Sequence, residues 1–384
     1  MVALLRLIVA WATLFVVGTD LFVVSPLIPL IADDYQVGIR GAGLAVTAFA
    51  AGYVIAAPLF GHLADRLGRR LVLTCCLAAF AAANFLTAAA GQLPMLMAAR
   101  LLCGIAAAGV TPSVYVLVGS AAPPGRRGTW ISIVLTGLLL SLPLGAPIGA
   151  MASLKLGWPV AFLFLAACSL LLAPVHRVLW PGSRQTVDRR TAHADGISPI
   201  ALTQQLLPTA AWSTALYGMY TYLGAGMTGL GYGPGAIAEI VGIYGAAAFA
   251  GALLGGRIAD RQGPATAIHV SLTGMAVCFA LLQFALLHGV LVEMAFAVTS
   301  LLAQVFFPAQ QSRLMAAFPT RNATALAWNN SALFLGMTLG SLIGGQAMAL
   351  GGFTAILPIS AAIAIAGWAS FSHYLPRTAA PRTS

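Results

Sequence analysis

Charge is what this sequence most lacks. Asp, Glu, Lys and Arg make up 7% of its 384 residues, and only 9 residues are acidic. Soluble domains carry about a quarter charged residues. With 60% hydrophobic residues beside so little charge, a water-soluble domain is excluded. The 5 cysteines (Cys75, Cys76, Cys103, Cys168 and Cys278) all fall inside apolar runs without metal-ligand spacing. Neither disulfides nor a zinc site is expected from them. There is no Gly-x-x-x-x-Gly-Lys phosphate loop, no metal motif and no nucleophile constellation, so the chain does not read as an enzyme or an ATP-driven pump, and no cofactor is expected. The net charge of +10 comes from basic residues scattered singly or in short clusters, without a basic face, which excludes a nucleic-acid partner. The apolar stretch that follows Arg6 shows no small-residue cleavage site before Ile31 and reads as a retained first helix.

What the chain does have is long apolar runs. They lie at about 5–31, 42–63, 71–91, 94–119, 128–152, 158–180, 204–228, 235–256, 265–287, 290–312, 323–349 and 353–375. Each is long enough to cross a bilayer core of roughly 30 Å as a helix. With the N-terminus inside, sixteen arginines fall in inner segments, and the outer loops hold only Arg40 and Lys155. That asymmetry predicts twelve crossings with both termini cytoplasmic, in an all-α integral membrane protein. The one long polar segment, Pro181 to Pro199, suits a linker between two halves. The predicted division is 1–180, a first six-helix bundle; 181–200, a cytoplasmic linker; and 201–384, a second six-helix bundle.

The halves also repeat each other. Gly61-His62-Leu63-Ala64-Asp65-Arg66-Leu67-Gly68-Arg69-Arg70 reads as a polar turn between the second and third runs. It returns as Gly256-Arg257-Ile258-Ala259-Asp260-Arg261-Gln262-Gly263 between the eighth and ninth. Pro112 and Pro308, and Pro123 and Pro319, echo at a similar offset. Parallel repeats of this kind place a substrate cavity near the midplane, between the halves.

The Gly-x-Leu-Ala-Asp-Arg-x-Gly-Arg-Arg string resembles the cytoplasmic loop signature of the major facilitator superfamily. Met-Ala-Ala-Arg100-Leu-Leu-Cys-Gly104 in the fourth run is similar to that family's helix-4 signature, in which the arginine is linked to proton coupling in antiporters. Gly145-x-Pro147-x-Gly149 in the fifth run departs from the Gly-Pro-x-x-Gly-Gly of multidrug antiporters and resembles sugar, arabinose and nucleoside exporters. The resemblance implies the twelve-helix drug:proton antiporter branch: a monomeric, multi-pass transporter of the bacterial inner membrane, moving a small organic solute against protons. It implies a gating role for Gly61, Asp65, Arg66, Gly68, Arg69 and Arg70 and for Gly256, Asp260, Arg261 and Gly263. Proton symport for uptake, or a sensor that does not transport, are the alternatives.

Asp20 and Arg100 are the candidate proton-coupling pair. Asp20 lies midway along the first run, where a charge costs about 2.5–3.5 kcal/mol on insertion scales, so it should face a cavity or a partner. Arg100 stands six residues past Pro94; snorkelling to the outer surface is its competing explanation. The helical rise puts the two roughly 9 Å apart along the membrane normal, which permits an ion pair without requiring one. Thr13, Asp20, Thr214, Tyr217, Thr221, Gln304, Asn329 and Asn330 are candidate cavity residues, with interhelical hydrogen bonding as the plainer alternative. Gly145, Pro147 and Gly149 are expected to form a close helix-packing seam.

Overall fold

The computed structural model describes residues 2–123, 126–181, 199–288, 291–318 and 322–374. Most of the expected linker therefore lies outside the described residues. Among the described residues, the regular structure is all helical. In the first half are α1 (Val2–Asp34), α2 (Ile39–Leu67), α3 (Arg69–Ala88), α4 (Leu93–Ala121), α5 (Arg127–Leu140), α6 (Ala146–Leu156) and α7 (Pro159–Leu179). In the second are α8 (Pro199–Thr221), α9 (Leu223–Gly229), α10 (Pro234–Gln262), α11 (Pro264–His288), α12 (Val292–Gln304), α13 (Phe306–Ala317), α14 (Asn322–Gly351) and α15 (Phe353–Tyr374). Eleven stretches of the described residues are long and apolar enough to span a membrane. The remaining crossing is α8 continued by α9.

Three predicted runs are interrupted rather than straight. The fifth passes through a π-helical turn, Ser141–Gly145, because Pro143 and Pro147 cannot donate backbone hydrogen bonds to the preceding turn. The seventh breaks at Tyr222 and the tenth at Val305. The break at Val305 leaves the Ala303 carbonyl to accept from Trp212 Nε1 (2.7 Å) and Ser271 Oγ (3.0 Å).

The polar turns are shorter than the sequence predicts. Gly61 to Leu67 are the closing turns of α2, and Arg69 and Arg70 already open α3, so they are helical rather than loop. Only Gly68 leaves the helix, at φ 88 and ψ 139, a conformation open to glycine alone. In the second half Gly256, Asp260 and Arg261 lie within α10, and Gly263 makes the reversal at φ 92 and ψ 152. The side chains of His62 and Asp65 lie outside the described residues.

Helix pairing repeats between halves. α2 packs along α4 as α10 does along α12; α3 along α7 as α11 along α15; α1 along α5 as α8 along α14. This is a pair of six-crossing bundles related by pseudo-symmetry. The halves meet where α2 lies against α14, α1 against α9, and the π turn and α6 against α10. Below, the end of the molecule with the Asp65 turn is the Asp65 end, and the opposite one the Lys155 end.

Candidate functional site

Asp20 and Arg100 form an ion pair inside the first bundle. Arg100 Nη1 donates to Asp20 Oδ1 at 2.7 Å and Nη2 to the Asp20 carbonyl at 3.4 Å. Arg100 is 1% exposed and Asp20 fully buried, so the arginine does not snorkel. Its guanidinium lies over the rings of Phe49 (4.8 Å) and Phe162 (5.4 Å), in cation–π contact. Glycine makes this possible. A Cβ on Gly104 would strike the Phe49 carbonyl oxygen, and one on Gly52 the Leu101 carbonyl oxygen, so α2 and α4 touch backbone to backbone and Phe49 is drawn over Arg100. The side chain of Asn84, on α3, faces the Asp20 carboxylate. Asp20 Oδ2, Arg100 Nε and Asn84 Oδ1 are buried without hydrogen-bond partners among the described residues. Sequence reasoning passed over Asn84; its one signal was an amide inside an apolar run, four residues before the end of α3.

Thr13 is fully buried. Its hydroxyl donates to the Val9 carbonyl (2.8 Å) and lies 2.8 Å from His176 Nε2. The Trp180 indole N–H donates to His176 Nδ1 at 2.7 Å. Since an indole only donates, Nδ1 accepts, and the imidazole proton sits on Nε2, pointing at Thr13. Arg6 donates to the Leu179 carbonyl (3.1 Å) and Arg70 to that of Trp180 (3.0 Å), which ties α1, α3 and α7 together at the Asp65 end.

In the second half some candidates make helix contacts, while the Thr221 hydroxyl and the Asn329 amide nitrogen are buried without hydrogen-bond partners among the described residues. Asn329 is buried and accepts from Thr209 Oγ1 at 2.7 Å. Thr214 donates back to the Ala210 carbonyl at 2.7 Å. Tyr217 and Thr221 are buried, with Tyr217 edge-on to Tyr220. Gln304 and Asn330 are half-buried. Arg313, not anticipated, is held by Gln310 and Gln205 and lies 4.7 Å over the Phe371 ring. The glycine seam runs along α1: a Cβ on Gly145 would strike Thr19, and one on Gly149 would come 2.6 Å from Val23. Pro147 lies near Gly242 of the other half.

The hydrogen bonds that described residues make between halves cluster toward the Lys155 end. Ser25 Oγ donates to the Tyr220 carbonyl (2.5 Å), and Tyr220 Oη to the Phe22 carbonyl (3.0 Å). Thr47 donates to Ser341 Oγ (2.9 Å), which donates to the Gly43 carbonyl (3.2 Å). Nearer the middle, Tyr53 stacks on Phe334 with ring centroids 3.6 Å apart.

Twelve apolar crossings in two like halves, with an ion pair buried between helices, define an integral membrane protein of the transporter class. The sequence profile of the Major Facilitator Superfamily matches residues 10–229 and 209–384. The chain belongs to that superfamily, as a multi-pass membrane transporter. It is 29% identical to an uncharacterised transporter of the same superfamily, YceJ of Bacillus subtilis, over 92% of this chain and 93% of that one. It is 30% identical to a chloramphenicol resistance protein of Streptomyces lividans, over 66% of each. Among solved structures, the inward-facing, unoccupied form of a bacterial homologue of the human lysosomal transporter Spinster superimposes with a TM-score of 0.76, at 15% identity and 96% coverage of both chains.

Proposed function

We propose that this protein is a proton-coupled exporter of a small organic solute, working as a monomer by alternating access in the bacterial inner membrane, with both termini cytoplasmic. The observation that carries this reading is the buried Asp20–Arg100 pair linking α1 and α4. Protonating Asp20 removes the charge that holds Arg100 in the core. A buried charge left alone costs several kcal/mol, so proton binding must be answered by movement of α1 against α4. Solute binding and proton binding then favour different arrangements of one bundle, which is what antiport requires. The similarity to a chloramphenicol resistance protein supports export rather than uptake. The energy suffices: one charge crossing about 180 mV yields about 4 kcal/mol, enough for a roughly thousandfold solute gradient.

In this reading the Lys155 end faces outward, and the contacts of Ser25, Thr47, Tyr220 and Ser341 close it. The turns at Asp65 and Asp260 lie at the cytoplasmic gate. The test is transport in vesicles. Asp20→Asn should lose pH-gradient-driven accumulation while keeping some downhill exchange, because the amide mimics a permanently protonated acid. Wild-type uphill transport and pH dependence in that variant would remove Asp20 from the coupling. Solute moving in the same direction as protons would replace antiport by symport.

A further inference from the structure

We propose that the cleft between α2 and α14 at the Lys155 end binds the phosphate of an anionic membrane lipid, and that the bound lipid holds this end closed. The cleft has a volume of about 280 Å³ and is walled by Arg40 and Leu44 from one half and by Tyr222, Ser341, Ile343 and Gln346, among others, from the second. Its walls come from both halves, so it exists only while they are together.

The chemistry of the lining selects the ligand. The hydroxyls of Tyr222 and Ser341 are already used: Tyr222 Oη donates to the Ser341 carbonyl at 2.9 Å, and Ser341 Oγ to Gly43. Among the described residues, Arg40 and Gln346 make no hydrogen bond or ion pair. The lining carries one positive charge and no negative one, and its spare groups are chiefly donors. A matching ligand is rich in acceptors and negatively charged.

Position selects a lipid over a soluble anion. Arg40 is the second residue of a candidate membrane span that begins at Ile39, which sets it at headgroup depth. Leu342 and Ile343, on the α14 wall, are among the exposed large apolar side chains and offer a track for an acyl chain. A Cβ on Gly345 would lie 3.2 Å from Arg40 Cγ, so the arginine stem already crosses from one half to the other. A phosphate on its guanidinium would bind against the seam itself. An ammonium-bearing headgroup would set a second cation beside Arg40, so an anionic headgroup is favoured.

Spin labels at Val37→Cys and Leu350→Cys, in a cysteine-free background, report whether this end is closed. Phosphatidylglycerol added to the purified full-length protein should raise the ratio of closed to open molecules about two- to fivefold, the factor a partly exposed charge pair supplies. Arg40→Gln should lose the response and Arg40→Lys should keep most of it; Arg40 is exposed, so neither change threatens folding. An equal response in Arg40→Gln, or no response in the wild type, overturns the proposal. Inorganic phosphate giving the same shift without lipid overturns the lipid assignment, and phosphatidylethanolamine matching phosphatidylglycerol overturns the requirement for an anionic headgroup.

Discussion

Asp20 and Arg100 stabilise each other only as a pair. Removing one partner of a buried ion pair costs about 3–5 kcal/mol, because the other charge is stranded. Asp20→Asn should therefore lower the thermal unfolding temperature of the purified protein markedly. Asp20→Leu combined with Arg100→Leu should recover most of that loss while remaining unable to couple transport. If the single and double variants unfold alike, the pair is not a closed electrostatic unit. Both charges were visible in the sequence, because an ionisable residue inside an apolar run is conspicuous. Their meeting was not. Run boundaries good to a few residues cannot fix axial position to within a hydrogen bond. Asn84, His176 and Arg313 escaped because amides and imidazoles near helix ends are ordinary, and an arginine near a loop reads as solvated. Only the fold places Thr13 against His176, or Phe371 under Arg313.

At the scale of elements, the two glycine reversals make a sharp contrast with their neighbours. Gly68 and Gly263 sit at φ 88 and φ 92, where a side chain strains the backbone by about 1–3 kcal/mol. Gly68→Ala and Gly263→Ala should each destabilise measurably in thermal unfolding. Gly256 belongs to the same repeated motif, yet lies in the body of α10 with open space where a Cβ would stand. Gly256→Ala should be neutral or stabilise by up to about 1 kcal/mol, since alanine is the better helix former and meets nothing there. Equal losses in all three would mean that the motif is needed for something other than its backbone. The long runs were legible because hydrocarbon demands some twenty apolar residues per crossing. The interruptions at 141–145, Tyr222 and Val305 were not, since each changes the backbone without changing the hydropathy around it.

For the whole molecule, the two ends make different predictions. In a cysteine-free background, an impermeant thiol reagent should label Asp33→Cys on intact cells and spare Gln262→Cys; the reverse would invert the proposed orientation. Toward the Lys155 end, Ser341 accepts from Thr47 and donates to Gly43, and a Cβ on Gly43 would strike the Tyr222 ring. Gly43→Ala and Ser341→Ala should both shift the population away from closure at that end, by about 1 kcal/mol for each hydrogen bond lost. Distance measurements between labels at this end check it, and an unchanged distribution would mean that the seam is passive packing.

Pro26 gives the closed end an unusual vulnerability. A helix carbonyl four residues before a proline has no amide to serve it, and for Pro26 that carbonyl belongs to Phe22. Tyr220 of the opposite half fills the vacancy. The latch is thus a contest for one acceptor, settled in favour of the distant hydroxyl because the local competitor is missing. Pro26→Ala would restore the competitor. The first helix would gain a hydrogen bond and the two halves would lose one, so a change that strengthens an element should loosen the assembly that element helps to hold shut.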